Sequence, residues 1–321
     1  NTDHINGSLG LTVDILKGLK FKTTFGIELT NEHWGYYLDP ISTSDGRGTK
    51  GRVEESFSRN FEWLFENLLT YDCSFNKHNL SILGGATQQR AQYNGSSMAG
   101  FDLAESYPDI HSISAANQLD KDACGSSASE WTLASFLGRV AYHYDSRYLL
   151  TVNFRADGSS RFAKNNRWGT FPSFSVAWRV SSESFFESVR SVVNDLKIRA
   201  SYGILGNQPG GNYAYIATGG YATNLGYLFG NGSDFIRGAS INGYTDTNIQ
   251  WERTKSTNIG FDANLFDCIS LTANYFYNKT DKLLMGVPIA PSIGGGSPIT
   301  NTGKMRNKGF EFNASYHSVS Y

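Results

Sequence analysis

The sequence predicts an all-β fold, a transmembrane antiparallel up-and-down β-barrel of which about eleven strands are present. Three observations lead there. Apolar and polar residues alternate with period two, the alternating runs outlast the usual strand of 5–6 residues, and the connections between runs alternate between short and long.

The runs start near Asn6, Leu19, Asn60, His78, Glu130, Arg147, Trp168, Asp195, Arg253, Cys268 and Asn307. From Tyr148 one face carries Tyr148, Leu150, Val152, Phe154 and Ala156, and the other Thr151, Asn153, Arg155 and Asp157. Leu196, Ile198, Ala200, Tyr202 and Ile204 oppose Lys197, Arg199, Ser201 and Gly203 in the same way. Ile269, Leu271, Ala273, Tyr275 and Tyr277 oppose Ser270, Thr272, Asn274, Phe276 and Asn278, and Phe310, Phe312, Ala314 and Tyr316 oppose Glu311, Asn313, Ser315 and His317. Successive side chains of a strand point to opposite faces, so each run has one apolar and one polar side.

Short connections fall at Lys17-Gly18, Asn76-Lys77, Asp145-Ser146 and Phe266-Asp267; long ones cover roughly 31–57, 91–129, 207–250 and 282–306, with a shorter one near 159–167. Segment 181–194 departs from the rule, and Ser182-Glu183-Ser184 before Phe185-Phe186 predicts a capped helical turn or two. Short turns at one end and long loops at the other describe an outer-membrane barrel, with the short turns periplasmic. On that orientation the first and last strands both run downward. A complete barrel has an even strand count, so the odd count is expected to reflect missing N-terminal sequence.

Composition agrees. Charged residues are 18% and aromatic residues 14%, poorer in charge and richer in rings than a soluble domain. A net charge of −1 excludes the electrostatic footprint of nucleic-acid binding. Cys73, Cys124 and Cys268 show no C-x-x-C or zinc spacing. No stretch reaches the roughly 18 apolar residues of a membrane helix, a limit that does not bear on barrel strands.

Several blocks are more specific. Arg155-Ala-Asp-Gly-Ser-Ser-Arg-Phe162 followed by Arg167-Trp-Gly-Thr-Phe-Pro-Ser-Phe-Ser-Val-Ala-Trp178 resembles the signature hairpin of SusC/RagA-type TonB-dependent transporters. Leu196 to Gln208, with Gly203 and Asn207, resembles the strand after it; Trp251-Glu252 with Asn258–Asp262, and Asn301-Thr-Gly303 with Asn307–Glu311, fit the next two blocks. The blocks keep the family's order over 147–321, whereas the first 146 residues match only in strand character. The resemblance implies a 22-stranded barrel in the outer membrane of a Bacteroidetes-like bacterium, with an N-terminal plug and a TonB box. It implies a SusD-like surface lipoprotein as partner and active import of an oligosaccharide or oligopeptide, with no cofactor. Residues 1–321 are then expected to be the middle of the barrel domain, lacking the plug and the C-terminal strands.

Within the signature, Arg155, Asp157, Gly158, Arg161, Trp168, Pro172, Trp178, Gly203 and Asn207 read as structural. Asp157-Gly158-Ser159 suits a tight turn with Gly158 at positive φ. Trp168 and Trp178 stand about 33 Å apart on one strand at 3.3 Å per residue, the spacing of two interfacial girdles. Pro172 removes a ladder donor, which predicts a bulge or break.

No catalytic or metal site emerges. Gly95-Ser-Ser-Met-Ala99 lacks the final glycine of a serine elbow and reads as a surface loop. Gly294-Gly-Gly296 reads as a loop rather than a phosphate cradle. His4, His33, His78, His111, His143 and His317 share no ligand spacing. Glu54-Glu55 and Asp120 to Asp122 read as solvated loop charges. Arg155, Lys197, Arg199 and Asn274 read as lumen residues that meet a plug.

Aromatic clusters in the long loops are the candidate substrate contacts: Trp34, Tyr36 and Tyr37 in one, and Tyr213, Tyr215, Tyr221, Tyr227, Phe229 and Tyr244 in another. Ring faces take apolar faces of sugars or peptide side chains while hydroxyls hydrogen-bond. Packing of loop against loop is the plainer role for the same rings. Other functions compatible with a barrel are an adhesin-like binding protein and a barrel-embedded hydrolase, the latter requiring a Ser/His or Asp/His pair that the sequence does not display.

Overall fold

The computed structural model describes residues 1–42, 44–103, 112–229, 234–241, 243–290, 292 and 296–318. Its strands are β1 (Thr2–Leu16), β2 (Leu19–Leu38), β3 (Arg52–Phe75), β4 (His78–Leu103), β5 (Ala116–Leu119), β6 (Gly125–Tyr144), β7 (Tyr148–Ser159), β8 (Trp168–Thr170), β9 (Ser173–Arg179), β10 (Val193–Asn207), β11 (Gly219–Phe229), β12 (Asp234–Ile241), β13 (Glu252–Leu265), β14 (Ile269–Gly286) and β15 (Ile299–Tyr316). One short helix, α1 (Ser44–Thr49), follows β2.

Eleven strands make a continuous antiparallel path, β1-β2-β3-β4-β6-β7-β9-β10-β13-β14-β15, with β5 on β4 and β8 on β7; β11 and β12 form a separate hairpin. The path holds the number of strands that the alternation predicts, in sequence order apart from the inserted short strands.

Register carries the two faces across the whole sheet. Leu9 pairs with Phe25 and Phe25 with Phe65. Farther along, Val140 pairs with Val152, Val152 with Phe174 and Phe174 with Tyr202; then Ile259 pairs with Tyr275, and Tyr275 with Phe310. A slip of one residue would move every one of these to the other face. The apolar face is open, with Val152 45% and Phe154 50% exposed, as expected of a wall that meets lipid rather than a protein core.

Aromatic rings bound that face at both ends. At the short-turn end, His78 Nδ1 lies 2.6 Å from the Tyr142 hydroxyl, the rings of Tyr144 and Tyr148 stack at 6.3 Å, and the Trp178 indole and Tyr148 hydroxyl both donate to Glu183. At the long-loop end, Phe25 and Trp63 stack at 6.4 Å, and Phe136 and Trp168 at 5.9 Å. Ten residues of β7 separate Tyr148 from Gly158, which pairs with Trp168. That is about 33 Å of strand, or a height of about 25 Å at the tilt of a barrel strand.

Turn chemistry explains the short end. Asp145, Ser146, Phe266 and Asp267 have positive φ, as tight hairpins that match strand twist require. Gly18 has φ 83°, and a Cβ there would lie 2.2 Å from the Asp72 carbonyl oxygen. The β9–β10 connection does contain helical turns, 3-10 in type over Val180–Ser182 and Ser184–Val189, but no side chain caps them.

Several sequence expectations need correction. Three of the four long connections are shorter than the sequence predicts, because the strands extend beyond the membrane band: β2 and β3 pair up to Leu38 and Arg52, β4 runs to Leu103 and β14 to Gly286, whereas the connection expected at 207–250 keeps its bounds between Asn207 and Glu252. Gly95-Ser-Ser-Met-Ala99 and Glu54-Glu55 therefore lie on strands rather than in loops. Asp157-Gly158-Ser159 is not a turn but the end of β7, paired with β6 and β8, and Gly158 is absent from the positive-φ residues. At Phe171-Pro172 the strand breaks into β8 and β9, as the missing proline donor predicts.

Candidate functional site

The polar face changes character along its height. Within the membrane band it is charged and self-paired. Arg199 Nε donates to Asp262 Oδ2 at 3.1 Å, and Lys197 Nζ lies 3.6 Å from the same oxygen. Arg199 also donates to Asn274 Oδ1, and Thr272 to Asp262. Arg155 and Asp157, two apart on β7 and so on one face, form a two-pronged contact from Nε at 2.8 and 2.9 Å. A further donor of Arg155 reaches the hydroxyl of fully buried Ser135 at 3.2 Å.

Above this level the face becomes hydroxyl-rich and aromatic, with Glu32 among its serines. Register aligns Trp34, Ser56, Ser97 and Gly125 in one row across β2, β3, β4 and β6. The next row is Glu32, Ser58, Gly95 and Ser127, and the one below it Thr30, Asn60, Tyr93 and Ser129. Strands about 4.8 Å apart make each row a strip some 14 Å wide. Between them lies an open groove of about 430 Å³ lined by Glu32, Ser56, Ser58, Tyr93, Ser97 and Ser127. Gly95 shapes its floor, since a Cβ there would meet the Tyr93 hydroxyl at 2.6 Å. Trp34 and Tyr36, two apart on β2, present parallel rings with centroids 6.0 Å apart and an interplanar angle of 1°.

The wall continues at Trp131, whose ring carries the Arg161 guanidinium at 4.8 Å. Arg161 also donates to the Gln208 carbonyl at 3.2 Å and to Asn212 at 3.1 Å, and burial pulls its guanidinium down from its ordinary value. The Tyr213 hydroxyl accepts from the Glu130 amide at 3.1 Å. Arg52 bridges Glu54 and Asp120; Asp120 to Asp122 lie in a turn as expected, but Asp120 and strand-borne Glu54 are ion-paired. The guanidinium holds the Asp120 carboxyl below its ordinary range.

A small core anchors the loops beside this wall. Phe162, Phe171, Ile249 and Trp251 are buried together, with Tyr215, Leu133, Ile204 and Leu284 against them. The Trp251 indole donates to the Arg167 carbonyl at 2.8 Å. A Cβ at Gly206 would lie 2.1 Å from the Phe171 ring, so that contact requires glycine. Below it, buried Glu252 accepts from Asn207 Nδ2 at 2.9 Å and from the Leu284 amide at 2.8 Å. Asn301 bridges the Gln250 and Lys282 carbonyls, Gly203 faces Ser173, and the Pro172 carbonyl accepts from Ile204. The separate motif blocks thus meet in one buckle that ties the 208–251 and 287–298 connections to the strands.

The nine candidate substrate aromatics divide. Trp34 and Tyr36 sit on β2, on the polar face, not in a loop; Tyr37 is on the same strand with the opposite parity, because the β2–β3 ladder continues through Tyr37 and Val53. Tyr213 is half-exposed beside the Trp131–Arg161 contact, whereas Tyr215 packs on the loop core. Tyr221, Tyr227 and Phe229 belong to β11 and Tyr244 to the connection after β12, where Tyr227 and Tyr244 are exposed; the side chains of Tyr221 and Phe229 lie outside the described residues. His111 and residues 294 and 295 also lie outside them. The sequence signal for Tyr93, Trp131 and the serines of β3, β4 and β6 is the parity of each run extended upward, which puts them on the polar face.

Residues 1–321 match the family model described as TonB dependent receptor-like, beta-barrel. TonB-dependent receptor P3 of Formosa agariphila is 34% identical over 96% of this chain and 30% of its own length. TonB-dependent receptor SusC of Bacteroides thetaiotaomicron is 37% identical over 58% of this chain and 18% of its own. Among solved structures, that of the RagAB peptide transporter superposes over all of this chain and 34% of its own with TM-score 0.88 at 24% identity, which shows a shared fold. The chain spans about a third or less of the length of these relatives.

Proposed function

This chain belongs to the TonB-dependent receptor β-barrel family, and from that premise we propose that it forms part of an outer-membrane importer for a bulky oligosaccharide or oligopeptide. The observation that carries the reading is the upper polar face: parallel Trp34 and Tyr36 rings beside a groove lined with serine hydroxyls and Tyr93. Flat rings take apolar faces, and small hydroxyls take the hydroxyls or amides between them. The groove is wide and open, which suits a ligand that is passed on rather than sealed in.

In this reading the 321 residues are the middle of a barrel domain in a Gram-negative outer membrane, and the rest of the protein supplies a plug and further strands. Energy comes through TonB acting on that plug, with no covalent chemistry on the nutrient. A SusD-like surface lipoprotein delivers the ligand to the rim formed by the loop core and the Trp34 wall. The paired charges lower down, Arg199 with Asp262 and Arg155 with Asp157, face the plug.

The test is uptake of labelled oligosaccharide and oligopeptide pools by cells carrying the full-length protein. Replacing Trp34 and Tyr36 together by alanine lowers uptake of the carried class about tenfold, from about 0.5–1.5 kcal/mol for each ring contact, at unchanged surface abundance. Uptake of both classes that ignores the double replacement, or that persists without TonB, overturns the reading.

A further inference from the structure

At the upper edge of the apolar face, outside the barrel wall, lies a cleft of about 340 Å³. Trp63 on β3 and Trp168 on β8 stand among its lining residues, with Gln88 and Arg90 from β4, Thr132 from β6 and Arg167 from the β7–β8 connection. Register sets Trp63, Arg90 and Thr132 in a single row. Below that row the same faces of β4 and β6 turn apolar, through Ala86, Ile82, Phe136 and Val140. The cleft therefore sits where hydrocarbon gives way to headgroups, the level at which Trp indoles collect.

Its charge is positive. Segment 158–170 contains Arg161, Lys164 and Arg167 and no carboxylate. Arg161 turns away to Trp131 on the polar face, which leaves Arg167 at the cleft, held by a 3.3 Å bond from Nε to the Phe162 carbonyl. Arg90 gives one guanidinium nitrogen to Glu130 at 2.7 Å, while its Nε is buried with no hydrogen-bond partner. Glu130 thus offsets the charge of Arg90 alone. Arg90 from β4 and Arg167 from the β7–β8 connection both line the cleft, so an oxyanion entering it would meet positive charge from two elements. Guanidinium forks fit phosphate oxygens in a bidentate manner.

We propose that this cleft binds the phosphorylated headgroup of an outer-leaflet lipid, Arg90 and Arg167 taking the phosphate and Trp63 and Trp168 flanking the attached sugar or glycerol. The inference rests on the outer-membrane placement of the chain and is independent of which nutrient is carried. The acyl chains run down the apolar face past Phe136 and Val140, where exposed side chains already await hydrocarbon.

The experiment uses the full-length protein, delipidated in detergent and examined by native mass spectrometry with added bisphosphorylated lipid A, its dephosphorylated counterpart, or inorganic phosphate. The expected result is retention of the phosphorylated lipid, with about tenfold weaker retention of the dephosphorylated form. The double variant Arg90→Gln with Arg167→Gln loses the same factor. Arg167→Gln alone, at an exposed site, gives a several-fold loss and stands in if the double variant does not fold. Equal retention of both lipids overturns the proposal, as does unchanged retention by the variants. Displacement of the lipid by inorganic phosphate at equal concentration overturns the lipid source and leaves a free-anion site.

Discussion

The indole of Trp168 lies across Gly158: a Cβ at residue 158 would stand 2.7 Å from indole Cε2 and 2.8 Å from Cζ2. The glycine lets the ring lie flat on the sheet and reach Phe136, whose centroid is 5.9 Å away. One absent side chain thus sets the upper aromatic boundary of the lipid face.

Gly158→Ala should therefore lift the indole and weaken the barrel by about 1–3 kcal/mol, the usual cost of forcing an extra methyl into a packed site. Urea unfolding of the full-length protein in detergent, followed by tryptophan fluorescence, measures it. An unchanged midpoint would mean that the ring has room to swing aside.

Asp157→Asn leaves the Arg155 guanidinium with weakened partners on the polar face. Asp157 is largely buried but the Arg155 side chain is nearly half exposed, so solvent screens part of the loss. About 1–2 kcal/mol is expected, below the 3–5 kcal/mol of a fully buried broken pair. The same unfolding assay reads it, and a loss that high salt does not reduce would argue against solvent access to the pair.

Trp251→Ala empties the centre of the loop core and removes the donor to the Arg167 carbonyl. The expected cost is about 3–5 kcal/mol of local stability. It should appear first as faster proteolysis within the 208–250 connection, at a site count that a surface replacement such as Lys164→Ala does not change.

Glu183 joins the short-turn end by accepting from Tyr148 at 2.7 Å, Trp178 at 3.1 Å and Arg147 at 3.2 Å. These donors, Tyr148 foremost, hold its carboxyl below the ordinary value of 4.5. A lowered pKa means that the stabilisation is fully present above the unfolded value and disappears as pH falls through the folded one. The stability difference between the native protein and Glu183→Gln should thus be constant from neutral pH down to about 5 and shrink below about 4.5. A difference that grows on acidification would reverse the sign and refute the assignment.

The aromatic wall shows how much of the site was legible. Tyr148, Leu150, Val152 and Phe154 declared the lipid face by spacing alone, because alternation is a local property of one extended chain. In the sequence Trp34 and Tyr36 stand out as ring faces but read as part of a loop. Nothing within 31–57 marks that segment as strand; the ladder to Ser56 and Glu54 on β3 does so. Parity along β4 and β6 puts Tyr93 and Trp131 on the polar face, but register alone sets them beside the serines of neighbouring strands.

By itself, then, the sequence determined the class of fold, the number of strands along the main ladder and the face each run offers to lipid, all of which follow from period two and from turn residues such as Gly18 and Asp145. The tertiary structure decided where strands end and which distant residues meet. Gly158 became a seat for Trp168 rather than a turn, and Asn207, Glu252 and Leu284 closed one buckle. These outcomes depend on pairing between strands far apart in the chain, where hydrogen-bond ladders and excluded volume act on positions that local pattern cannot link.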